Sequence, residues 1–218
     1  MCHNWRSIVL ASPSRPRLRL IFTYNTPTAA LALKSLSHLP IFIDCNSDHR
    51  HYNNDSNTRR RFISALRYDP DRVCRIAIGV WSETQGDFDQ ISEALDLFFP
   101  ALESLELYHL DMHSIESILL ATSFLTSIQS LRYLRLDGTP LTIISLILSV
   151  TRSLVDLSLS IHAPINDTSL LTHLQHMPRL RNLQLSAWFS SDEMTFTTTV
   201  LLPELTCFRF DGDRTQVE

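Results

Sequence analysis

One pattern constrains this chain more than any other. It runs apolar, two variable residues, apolar, one variable residue, apolar. Its clearest copies are Leu102-Leu105-Leu107, Leu131-Leu134-Leu136, Leu154-Leu157-Leu159 and Leu180-Leu183-Leu185. Two degenerate copies flank them, Val73-Ile76-Ile78 and Leu205-Phe208-Phe210. The copies start at 73, 102, 131, 154, 180 and 205, so the successive intervals are 29, 29, 23, 26 and 25 residues. A single copy in a leucine-rich chain carries little weight. Six in a row at a nearly constant spacing point to a repeating structural unit.

Pleat geometry explains the pattern. The last two apolar positions are two residues apart and therefore point to one side of a short strand. The first apolar residue enters the core just before the strand. Each strand is expected to pair in parallel with its equivalent in the next unit, starting near Val73, Leu102, Leu131, Leu154, Leu180 and Leu205. The return segments must then cover the apolar side. Asp87 to Phe99 carries Phe88, Ile91, Leu95, Phe98 and Phe99 at helical spacings, with Asp87 as N-cap and Pro100 as stop. Met112 to Leu125 offers Ile115, Ile118, Leu119 and Leu125. Thr139 to Val150 places Pro140 in the first turn. Asn166 to Met177 offers Leu170, Leu171 and Leu174, and Thr58 to Tyr68 offers Phe62, Ile63 and Leu66.

The intervals fall within the roughly 20–29 residues of leucine-rich repeats. The expected fold class is α/β: a leucine-rich-repeat solenoid with a curved parallel sheet and outer helices. The competing reading is an ordinary doubly wound α/β sheet, which predicts irregular strand spacing and longer, continuously apolar strands. The expected organisation is an N-terminal cap over 1–57 and the solenoid over 58–218. Residues 1–57 do not fit the repeat. Leu18, Leu20 and Phe22 alternate there, as do Leu39, Ile41 and Ile43, with Ala29 to Leu36 a short helix between two strands. Asp44 to Asn57 is almost devoid of apolar residues and is expected to be an exposed loop.

Composition narrows the function. With 44% hydrophobic and 19% charged residues the chain is of globular type. A net charge of -4 excludes the usual footprint of a nucleic-acid binder. The run Arg59-Arg60-Arg61 reads as a solvated helix start or loop. The four cysteines, Cys2, Cys45, Cys74 and Cys207, show no paired spacing and read as free thiols, with Cys74 and Cys207 inside strands. The polar start shows no signal peptide, and the apolar run from Leu141 to Val150 is too short to span a bilayer. The expectation is an intracellular protein, cytoplasmic or nuclear, that does not engage a membrane.

The N-terminal residues Cys2-His3-Asn4-Trp5-Arg6, followed by Ile8-Val9-Leu10-Ala11-Ser12-Pro13, resemble the end of an F-box. Arg17-Leu18-Arg19-Leu20, Thr26-Pro27, Leu39-Pro40-Ile41-Phe42-Ile43 and Asp71-Arg72-Val73-Cys74-Arg75-Ile76 are similar to F-box-type leucine-rich-repeat proteins of mushroom-forming fungi. The resemblance implies a substrate-recognition part of an adaptor for a cullin-type ubiquitin ligase. It starts inside the last F-box helix, so the segment 1–57 is expected to hold an F-box remnant as well as the cap, and a Skp-type adaptor is an expected partner only with a complete F-box upstream. The alternative is a stand-alone repeat scaffold with no ubiquitin role.

No catalytic, cofactor or metal site is expected. His173 with His176, the His109, Asp111 and His113 group, and His49 with His51 match no metal-ligand spacing. There is no nucleophile elbow and no glycine-rich phosphate loop, and an enzyme is not expected. The expected binding surface is the concave sheet face, formed by the residues between the core leucines. These are Arg75, Ala77 and Gly79; Ser104, Glu106 and Tyr108; Tyr133, Arg135 and Asp137; Asp156, Ser158 and Ser160; Asn182, Gln184 and Ser186; and Cys207, Arg209 and Asp211. The partner contacts expected from them are Ser104, Glu106, Tyr108, Tyr133, Arg135, Asp137, Asp156, Ser158, Gln184 and Arg209, with a protein as partner. Tyr108, Tyr133 and Arg135 are its expected anchors.

Overall fold

A computed structural model describes residues 19–22, 39–45, 63–79, 93–108, 122–164, 169–189 and 199–214. Eight strands form one all-parallel sheet in sequence order. They are β1 (Leu20–Phe22), β2 (Ile41–Cys45), β3 (Val73–Gly79), β4 (Ser104–Tyr108), β5 (Tyr133–Asp137), β6 (Asp156–Pro164), β7 (Asn182–Phe189) and β8 (Cys207–Arg214). The chain is therefore of the α/β class. The strand order never reverses, whereas a doubly wound sheet turns back at a switch point.

The leucine pattern sets the register. Leu105, Leu134, Leu157 and Leu183 are successive partners, and so are Leu107, Leu136, Leu159 and Leu185. The first apolar residue of each clear copy sits two places before its strand and is fully buried at Leu102, Leu131, Leu154 and Leu180. A backbone ladder fixes this approach. Arg132 N donates to Glu103 O, Val155 N to Arg132 O, Arg181 N to Val155 O and Thr206 N to Arg181 O, at 2.8–2.9 Å. Four of the approaches also share a tight turn, in which Leu102 N, Leu131 N, Leu180 N and Leu205 N donate to the carbonyl three residues earlier.

Three helices are set between the later strands: α1 (Thr122–Ser127), α2 (Leu141–Val150) and α3 (Ser169–Gln175). A further helical segment spans 63–68. Ile143, Ile144, Ile147 and Leu148 of α2 lie in the same core as the strand leucines. Gly138 ends β5 in the left-handed region, at φ 67, where a side chain would be strained, and its amide donates to Ser160 O. Pro140 is the cap residue of α2, one place earlier than expected, and its carbonyl accepts from Ile143 N and Ile144 N. α3 ends at Gln175, short of Met177, though Met177 is buried.

Several expectations change. β1 and β2 join the sheet beside β3 although their sequence breaks the pattern. Ile41 and Ile43 are two residues apart where their partners Val73 and Ile76 are three apart, and the register shifts between Ile41 and Phe42. One residue fewer hides the pattern from a spacing search. Asp44 and Cys45 belong to β2 rather than to a loop; residues 46–57 lie outside the described part. Arg72 ties the two strand starts, its Nε donating to Leu39 O at 2.9 Å and its Nη1 to Asp69. Phe98 is half-exposed rather than buried, because the helical turn at 93–95 ends before it. Phe208 and Phe210 occupy core positions by register but are 57% and 47% exposed. They lie on the last strand, where no further described unit covers them. β6, β7 and β8 run to 9, 8 and 8 residues, longer than the short strands expected. The N-terminal residues 2–13, the helix over 29–36 and the helix faces at Phe62, Phe88, Ile91, Ile115, Ile118 and Leu119 fall outside the described residues.

Leu134 has no exposed surface and stands between Leu105 and Leu157. Leu134→Asp places an unpaired carboxylate in that row. The expected cost is about 4 kcal/mol or more, read as loss of the cooperative unfolding transition in denaturant or heat. An unchanged midpoint contradicts the shared core.

Candidate functional site

The face opposite the helices carries three polar rows. The first runs Arg75, Ser104, Tyr133, Asp156, Asn182, Cys207; the second runs Asp44, Ala77, Glu106, Arg135, Ser158, Gln184, Arg209; the third runs Gly79, Tyr108, Asp137, Ser160, Ser186, Asp211. Every one of the ten expected contact residues lies in these rows. Adjacent members are separated by the interstrand spacing of about 4.8 Å. Residues far apart in sequence thus form one continuous surface.

The rows are not uniformly open. Ala77 and Gly79 are buried, and so is Glu106 at 4% exposure, although all three lie on the face expected to form the binding surface. Ala77 and Gly79 are small and flanked by larger neighbours. Glu106 is enclosed by its own partners. Its carboxylate takes an ion pair from the Arg75 guanidinium and a hydrogen bond from the Tyr108 hydroxyl. Arg135 lies over the Tyr108 ring, 5.1 Å from its centroid, a cation–π arrangement. The buried Arg75 Nε has no hydrogen-bond partner among the described residues. Arg75, Glu106, Tyr108 and Arg135, with Tyr133 beside them, form one cluster across β3, β4 and β5.

The surroundings raise both phenols. Burial pushes the Tyr108 hydroxyl well above the usual phenol range, and the Glu106 hydrogen bond and charge add to this, while Arg135 opposes it. Tyr133 is raised first by burial and then by the Glu106 charge, with Arg135 and Arg75 opposing. Both side chains are neutral donors at neutral pH. The cluster offers partly exposed aromatic surface, with the Tyr108 hydroxyl fixed on Glu106.

Farther along the face the groups are small or solvated. The Asn182 amide donates to the Asp156 carboxylate. His162 approaches Asp137 at 3.6 Å and Ser160 at 3.3 Å. Gln184 and Arg209 are exposed and lie away from the tyrosine cluster. Sequence spacing found the rows but missed Arg75 as a member of the cluster's core and His162 as a neighbour of Asp137. Arg75 sits at the same strand position as Ser104 and Tyr133, which was its available signal.

Among the histidine groups, His173 and His176 lie at the end of α3, and His176 Nδ1 is 2.8 Å from Thr172 O. The groups around His49 and His109 fall outside the described residues, and no group of three or more metal-ligating side chains occurs among the described ones. No described helix is long and apolar enough to cross a membrane. Cys74 and Cys207 carry free thiols, and burial pushes the Cys74 thiol up, with the Glu103 charge adding to it.

Two measurements test the cluster. Arg75→Ala leaves the Glu106 carboxylate buried without its cation, at an expected cost of about 3 kcal/mol in chemical denaturation. In a Glu106→Gln background the same substitution should cost about half as much or less, since the charge is gone. The raised phenols make the second test. The folded state holds their protons more tightly than the unfolded chain does. This contribution to stability is therefore complete below about pH 10 and is lost as pH rises above it. Ultraviolet titration of the five tyrosines should show a late phenolate step that disappears in Tyr108→Phe/Tyr133→Phe.

No protein-family model matches this chain, and a search of curated proteins finds no match either.

Proposed function

We propose that the chain is a leucine-rich-repeat solenoid that works as a protein-binding module. Six pattern copies at 23–29 residue intervals, each feeding one strand of a sheet in sequence order, support that architecture. The observation that carries the binding role is the cluster of Tyr108, Tyr133 and Arg135 at the centre of the open face. Tyr and Arg dominate the energetic centres of protein interfaces. Here Glu106 holds the Tyr108 hydroxyl and Arg135 stacks on the Tyr108 ring, which restrains both side chains and lowers the entropic cost of binding. Ser104, Asp137, Asp156, Ser158, Gln184 and Arg209 extend the surface as a polar rim.

Within this reading, the resemblance of the N-terminal residues to F-box-type repeat proteins supports a role as the substrate-recognition part of an adaptor for a ubiquitin ligase. The bound protein is then the ligase substrate.

The test is affinity capture with the wild-type chain, followed by measurement of the captured protein against Tyr133→Ala/Arg135→Ala. The double variant should bind about 2 kcal/mol more weakly or worse, with an unchanged melting transition. Equal affinity moves the binding site off the cluster.

A further inference from the structure

A second site lies at the end of the sheet where the strands begin. The backbone ladder places Arg132, Val155 and Arg181 at equivalent positions, one residue before β5, β6 and β7. Three residues before the same strands stand Ser130, Ser153 and Arg179. The middle unit therefore contributes two short side chains, Ser153 and Val155. Its neighbours contribute long arginines, Arg132 on one side and Arg179 with Arg181 on the other. A cleft of about 560 Å³ results, lined by these residues and by Glu204.

Charge gives the cleft its chemistry. Three guanidinium groups face one carboxylate, in a chain whose net charge is -4. Glu204 is already paired, accepting from Arg181 Nε at 3.1 Å. Arg132 and Arg179 make no side-chain ion pair or hydrogen bond with any described residue. The backbones of Arg132 and Arg181 are two strands apart, roughly 10 Å. That distance lets two guanidinium groups converge on one tetrahedral anion from opposite sides, each with two parallel N–H donors. The Ser153 hydroxyl lies in the unit between them.

We propose that this cleft binds the phosphate of a phosphorylated serine or threonine on a protein partner. A phosphate monoester has close to two negative charges and three acceptor oxygens, which match the two guanidinium groups, Arg132 and Arg179, left uncompensated once Glu204 pairs with Arg181. Among the described residues the lining contains no aromatic side chain on which a base would stack, which argues against a nucleotide or a nucleic acid. The arginines are exposed, so the cleft is open to a group presented by another chain. This site is separate from the tyrosine cluster and does not rest on the reading of that surface.

The experiment measures binding by nuclear magnetic resonance titration at low and physiological salt. The probes are a capped pentapeptide with phosphoserine at its centre and glycine elsewhere, the same peptide unphosphorylated, and inorganic phosphate. The phosphopeptide should bind at least about tenfold more tightly than its unphosphorylated form, shifting the Arg132 and Arg179 side-chain N–H signals. Arg132→Ala/Arg179→Ala should lose that binding by about tenfold or more with an unchanged melting transition, whereas Arg67→Ala, which removes a distant surface arginine, should not. No binding, equal binding of the two peptides, or insensitivity to the double variant overturns the proposal. Inorganic phosphate binding as tightly as the phosphopeptide overturns the assignment to a protein-borne phosphate.

Discussion

Parallel, in-register pairing of the core leucines is the constraint on which the rest of this molecule depends. Leu105, Leu134, Leu157 and Leu183 face the core together because each strand begins the same number of residues after a buried approach leucine. A slip of one residue on any strand would turn its leucines to the open face and its polar residues into the core. The ladder from Glu103 O to Thr206 N guards against this, since it fixes the backbone before the strand starts. Return segments are then free to vary in length, and the intervals between pattern copies do range from 23 to 29 residues. Variation is absorbed where it costs little, outside the sheet.

The same pairing builds the open face. Because register is kept, any residue type at a given strand position meets its equivalents on both sides. Arg75, Glu106 and Arg135 come from three successive strands, and their alternating charges are what makes the arrangement tolerable. A carboxylate as buried as that of Glu106 requires a cation and a donor, and Arg75 and Tyr108 provide them. In the proposed solenoid this cluster is a rigid platform rather than a set of independent surface groups. The rim cleft follows from the same regularity one step earlier in each unit, where short and long side chains alternate.

The C-terminal edge shows what the regular interior requires. Phe208 and Phe210 stand in register with Leu183 and Leu185, yet both are largely exposed. Register alone therefore does not bury an inward-facing position on the last described strand.

Much of the fold was legible in the sequence. The copies starting at 73, 102, 131, 154, 180 and 205 identified six of the strands and their inward leucines, because pleat periodicity is a local property of the chain. The same alternation named the residues of the open face. Tertiary structure decided the rest. β1 and β2 joined the sheet through a register shift that no spacing rule reveals, since only pairing with β3 makes Ile41 equivalent to Val73. Glu106 became buried because Arg75 and Tyr108 from neighbouring positions closed over it, and sequence distance carries no information about such contacts. The cleft beside Val155 exists only because two arginine-bearing units flank a unit with short side chains. Sequence periodicity fixes which way a side chain points; the depth at which it ends up depends on what the neighbouring strands place beside it.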